Sequence, residues 1–175
     1  MIEFRSVAIA GLAVVTLSGI TQGQGPARRQ SIVPGTGAEE STKVTLALAV
    51  GSQRYDETRQ GRCTYTAMAS IYNTLAAMWS VQYSLAGNSS LALTVWRPVR
   101  GDTTAKLNFY IGEGPTQHRI ATVKGGKMLG KGTVQVTKRG PGGRFEITGT
   151  SAEGATVRGY IDCEKFAAPI AVAGN

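Results

Sequence analysis

"GGRFEITGTSAEGATVRGYIDCEKF", Gly142 to Phe166, decides how the rest of the chain is read. It reads as two strands around a tight turn at "AEG", and it closes on a cysteine, Cys163. Strands of this length, cut by Gly-rich turns, predict an antiparallel hairpin rather than a helix. The same grammar repeats upstream. "KVTLALAV" alternates Val44, Leu46, Leu48 and Val50 against smaller residues, the period-two pattern of a half-buried strand. The more polar "SQRYDETRQGRCTYT" follows as its partner. Trp79, Val81, Tyr83 and Leu85 share one face, as do Leu91, Leu93 and Val95, and Leu107, Phe109 and Ile111. "QHRIATV", "KGTVQVTK", "GRFEITGT" and "ATVRGYIDC" complete the series, with Gly-rich turns such as "GEGP", "KGGK" and "RGPGG" between strands. The pattern predicts an all-β fold: an antiparallel β-sandwich or a closed barrel of about eight or nine strands. One stretch breaks it. In "ASIYNTLAAMW", Ile71, Leu75, Met78 and Trp79 fall at helical spacing, which predicts a short helix or an ordered loop there.

The chain ahead of these strands reads differently. "MIEFR" carries one Arg, "SVAIAGLAVVTLSGI" is apolar and "TQGQG" is small and polar, the order of a secretory signal with cleavage after Gly23. The apolar run, Ser6 to Ile20, is 15 residues long, short of the roughly 20 a spanning helix needs. Residues 24–42 are rich in Gly, Pro, Ser and charge and read as a linker. The expected organisation is therefore a signal peptide over 1–23, a linker over 24–42, a β-domain over 43–166 and a tail over 167–175. The expected location is secreted or periplasmic, with no transmembrane segment once the signal is removed.

Two cysteines, Cys63 and Cys163, lie in strand-like segments. Export favours oxidation and an even count favours pairing, so a Cys63–Cys163 disulfide is expected. A metal site would want further His or Cys ligands, and His118 is the only histidine. No metal or other cofactor is expected.

The phrase F-E-I-T-G-T-x-x-x-G ending in I-D-C, together with the earlier cysteine, resembles the small exported lipoprotein antigens of the LpqH type. The resemblance covers about 25 residues and implies a β-sandwich at or beyond the cell envelope, with no catalytic residues. The chain departs from that family in having no cysteine after its signal to carry lipid.

"GGKMLGKG", Gly125 to Gly132, approaches a phosphate-binding loop, but Gly132 stands where Ser or Thr should hold magnesium and a strand follows instead of a helix. A hairpin turn is expected there. Asn88 opens an "NSS" sequon that is equally an ordinary turn. Trp79 and Trp96 sit in apolar strand runs and read as packing. With one histidine, catalytic material reduces to carboxylates: Asp56, Glu57, Asp102, Glu113, Glu146, Glu153, Asp162 and Glu164. Glu146 and Asp162 could face each other across the opening hairpin, beside Arg144 and Arg158, an expectation that fits surface ion pairing as well as catalysis.

The chain is basic, with 19 Lys and Arg against 11 Asp and Glu. From Gly114 to Phe145 there are seven cations and no acid: Arg119, Lys124, Lys127, Lys131, Lys138, Arg139 and Arg144. Such a run is either a solvated face or the site of an anionic partner, whether glycan, lipid or acidic protein. Nucleic acid is disfavoured, because the stretch lacks the interleaved aromatics of single-strand binders. The expected function is a non-catalytic, exported binding module. Two other readings stand beside it: an exported hydrolase using a carboxylate pair, and a secreted inhibitor presenting "YNTLAAM" as a rigid loop.

Overall fold

A computed structural model describes residues 40–125 and 127–169. The expected signal peptide, the linker up to residue 39 and the tail beyond residue 169 lie outside the described residues. Nine strands follow in order: β1 (Thr42–Val50), β2 (Gln53–Ile71), β3 (Thr74–Ser84), β4 (Ser90–Pro98), β5 (Lys106–Gly112), β6 (His118–Ala121), β7 (Lys131–Arg139), β8 (Gly142–Thr150) and β9 (Thr156–Cys163). A single 3-10 turn at Gly114–Thr116 interrupts the β structure. The strands form one nearly closed, barrel-like sheet in the order β6-β5-β4-β3-β2-β1-β9-β8-β7, every hydrogen-bonded pair antiparallel. The expected all-β architecture is thus the observed one.

An odd strand count decides where the barrel fails to close. Alternating directions around the ring make β6 and β7 run the same way, and parallel neighbours cannot be joined by a tight hairpin. The "KGGK" segment is therefore not the hairpin turn expected of it. It belongs to the connector between β6 and β7, of which residues 122–125 and 127–130 are described, and there Ala121 and Leu129 exchange backbone hydrogen bonds of 2.7 and 3.0 Å. The seam is closed by packing. Gly132 and Gly149 face each other across β7 and β8, and a Cβ on Gly132 would come within 3.1 Å of the Ile120 side chain of β6. Two facing glycines let that side chain lie against the sheet.

Alternation fills the interior. Val44, Leu46, Leu48 and Val50 are buried, and so are Trp79, Val81, Tyr83, Leu85, Leu91, Leu93, Val95, Leu107, Phe109 and Ile111, the faces that the spacing picked out. Phe145, Ile147 and Ile161 close the same core from the opening hairpin. Each such side chain contributes about 1.5–3 kcal/mol on leaving water. β2 is long because it serves both halves of the sheet: residues 53–61 pair with β1, and residues 62–71 pair with β3.

The stretch expected to be a helix or ordered loop is instead the end of β2, a two-residue turn and the start of β3. Tyr72 and Asn73 both hold positive φ, 54° and 57°, the requirement of a type I′ hairpin. A bulge between Thr66 and Ala69 shifts the register just before it.

Cys63 and Cys163 form the expected disulfide, Cα atoms 6.2 Å apart. It closes a loop of 100 residues, which on the chain-entropy model is on the order of 4–5 kcal/mol. The paired chain continues past it, since Ala167 donates to the Cys63 carbonyl and accepts from the Tyr65 N–H.

Candidate functional site

The barrel has two ends. The connections 51–52, 85–89, 113–117 and 151–155 lie at one; the β2–β3 turn, the β4–β5 loop and the β7–β8 turn lie at the other. The seven cations of the 114–145 run do not share an end. Lys131 and Arg139 terminate β7, eight residue steps or about 26 Å apart. Arg119 is committed to Glu153: its Nε and Nη2 both lie 3.0 Å from Oε1, and its backbone N–H donates to Oε2 at 2.9 Å. Arg144 donates from Nε to Asp162 at 2.7 Å, holds the same carboxylate through Nη2, and stacks 3.7 Å from the centre of the Tyr160 ring. The Asp162 hydrogen bond pushes the Arg144 guanidinium pKa up, with burial opposing. Arg139 lies 3.9 Å from that same aspartate, and Lys138 sits 4.9 Å over the Tyr65 ring.

Lys124 and Lys127 have different company. They lie on the 122–130 connector, which reaches the β2–β3 turn, where the Lys124 N–H donates to the Tyr72 hydroxyl. The β4–β5 loop reaches the same place, because the Val99 N–H donates to the Leu75 carbonyl at 3.0 Å. Tyr72, Thr74, Pro98, Arg100, Lys106 and Lys124 line a cleft of about 210 Å³ there, together with Asp102. Lys106 is buried and its Nζ donates to Asp102 at 2.7 Å, while the Thr104 N–H donates to the other carboxylate oxygen at 3.0 Å. The Lys106 bond first, then the Thr104 bonds, hold the Asp102 carboxyl well below the usual carboxylate range. One acid is thereby neutralised, and Arg100 and Lys124 remain as cations of the cleft, while Arg97 sits 5.6 Å from the centre of the Trp79 ring. The connections of the opposite end contain no Lys or Arg and carry Glu113 and Glu153. Arg54, Lys131 and Arg158 stand exposed on the strands beside those connections, so the ends differ in their connections and not in overall sign.

Two of the candidate hydrolytic arrangements have defined surroundings. Asp162 is held by Arg144. Glu146 is opposite Tyr160, one pair further along the outer face. At the acidic end His118 Nδ1 lies 3.3 Å from Ser151 Oγ and 4.0 Å from Glu153 Oε2. A serine–histidine–acid relay puts its partners on different imidazole nitrogens; here one nitrogen faces both. Ser151 is buried and its Oγ accepts the Ala155 N–H, so the group ties off the β8–β9 turn. Among the described residues no three His, Cys, Asp or Glu side chains gather as metal ligands. No helix among them is long and apolar enough to cross a membrane. A further hollow, about 480 Å³, is an open trough lined by Gln60, Arg62, Gln82, Ser84 and Ser90. Asn88 is exposed in the β3–β4 turn, at the acidic end.

No family model, curated protein or solved structure matches the chain.

Of the residues that build the cationic end, Lys124 and Lys127 are visible in the basic run. Arg97, Arg100, Lys106 and Tyr72 are not, because they reach the site from β2–β3 and β4–β5. The signal that could have found them is the dense "RPVRGDTTAK" segment, five residues of which are charged or proline.

Proposed function

We propose that this protein is an exported, non-catalytic β-barrel module that binds an anionic partner at or beyond the cell envelope, secreted or periplasmic. The observation that carries the reading is the convergence of Arg100, Lys106 and Lys124 from separate segments on the cleft at the 72–73 turn, where the one acid, Asp102, is already paired. A local field of this kind concentrates an oppositely charged partner at that surface. The disulfide fits an oxidising compartment, and the LpqH-type resemblance points the same way. The interior is filled by side chains, so a partner is met on the outside of the barrel.

Retention on a sulfated-polysaccharide column over a salt gradient tests this. Wild type should be retained at low salt and elute as salt rises, because exposed charges are screened over about 8 Å at physiological ionic strength. Reversing Arg100, Lys124 and Lys127 together (R100E/K124E/K127E) should bring elution forward. Reversing Lys131 alone at the other end should change it far less. Absence of retention at low salt, or equal elution of wild type and the triple variant, contradicts the proposal.

A further inference from the structure

Five large apolar side chains are exposed among the described residues: Met68 (79 %), Met128 (64 %), Val99 (52 %), Leu75 (46 %) and Tyr72 (45 %). All five belong to the segments that meet at the cationic end. Met68, Tyr72 and Leu75 are carried by the β2–β3 hairpin. Val99 is tied to Leu75 through its backbone N–H, and the connector bearing Met128 is tied to Tyr72 through Lys124. Leu75 follows Trp79 and Ala77 at period two, so the interior face of β3 continues past the rim of the barrel into solvent. A soluble polyanion accounts for the cations but leaves these side chains without a partner. Exposed apolar groups gathered in one place and rimmed by Lys and Arg mark an interaction site.

The chemistry of the patch resembles that of interfacial membrane anchors. Met, Leu and Val reach into the boundary between headgroups and acyl chains. A tyrosine, apolar in its ring and polar at its tip, suits the headgroup layer, and Lys and Arg pair with lipid phosphates. Here Tyr72 stands at the apex of a turn that holds a non-glycine residue at positive φ. Strain kept at an exposed tip is a feature of recognition surfaces. Arg100 and Lys124 line the cleft beside it, and Asp102, the acid of the cleft, is already paired.

We infer that the cationic end docks on the surface of an anionic lipid bilayer, with the tip of the β2–β3 hairpin entering the headgroup layer. The inference rests on the anionic-partner reading and adds the class of partner.

The test places a reporter at the tip. In the full chain, Met68→Trp introduces an exposed indole, while the signals of Trp79 and Trp96 are subtracted using wild type. Vesicles of phosphatidylglycerol and phosphatidylcholine are compared with phosphatidylcholine alone, with and without brominated acyl chains. The reading is local, so it does not depend on whether residues 1–23 are still attached. Emission of the indole at position 68 should shift to the blue and be quenched by bromine on anionic vesicles, weaken as salt rises, and stay unchanged on neutral ones. An indole placed by Gln135→Trp on exposed β7 should not be quenched. A M68S/L75S/V99S variant should partition about tenfold or more weaker onto anionic vesicles, with column retention kept, since apolar area and not charge is removed. If the protein associates with anionic vesicles and the indole at 68 stays unquenched, the docking end is wrong while anionic binding stands. If it binds the sulfated polymer but not vesicles, the partner is a glycan or acidic protein and the lipid inference is overturned. If it binds neither, both readings fail.

Discussion

At the scale of single residues, Glu153 links the acidic end to pH. Burial raises its pKa, but the Arg119 backbone N–H and guanidinium and the Ser151 hydroxyl donate to it and leave it lower than normal. A carboxyl depressed in the folded state stabilises above its unfolded pKa, and that contribution is lost as pH falls through the folded value. Glu153→Gln should therefore cost about 1 kcal/mol or less at neutral pH, the scale of a partly exposed pair. The gap between wild type and variant should close as pH falls through the ordinary carboxylate range and below it. Urea unfolding at a series of pH values reads this; a gap that stays constant across the range would show that the ion pair is not its origin. Arg119 illustrates what a cation run hides. Its charge counts toward the seven in sequence, yet in the fold it is held by an acid 34 residues away.

At the scale of elements, the β2–β3 hairpin matters most. Its two turn residues both need positive φ, which Asn tolerates and β-branched residues do not. Asn73→Val should lower stability by about 1–2 kcal/mol, whereas Asn73→Gly should leave it nearly unchanged. Thermal unfolding of the two variants side by side checks this, and equal melting temperatures would contradict a left-handed turn at this site. The same hairpin shows what spacing conceals. Leu91, Leu93 and Val95, or Leu107, Phe109 and Ile111, declare their strands because burial on one face imposes period two. At the hairpin end the strand leaves the barrel, so burial no longer writes that pattern, and the Thr66–Ala69 bulge shifts its phase. Ile71, Leu75, Met78 and Trp79 then imitate a helix by accident. The parallel seam between β6 and β7 was illegible for another reason: direction around a ring depends on the count of all strands, which no local segment carries. The candidate site was half legible. Lys124 and Lys127 stand in an unbroken basic run, but Arg97 and Arg100 arrive from a different hairpin, and exposure of Met68 or Val99 is a property of the fold's rim.

At the scale of the whole molecule, the account holds that a filled β-barrel presents a cationic, apolar-tipped end to an anionic partner. The Cys63–Cys163 link and the Ala167 pairing hold the C-terminal segment against β2. Binding should then alter one end and leave the core and far end undisturbed. The most direct measurement is an amide spectrum of isotope-labelled protein titrated with a short sulfated oligosaccharide. The account predicts that resonances of residues 72–75, 97–102 and 122–128 shift, that the shifts fade as salt rises, and that those around Glu113 and Glu153 stay still. Shifts confined to the Glu113 and Glu153 connections, spread evenly over the barrel, or absent at low salt would contradict it.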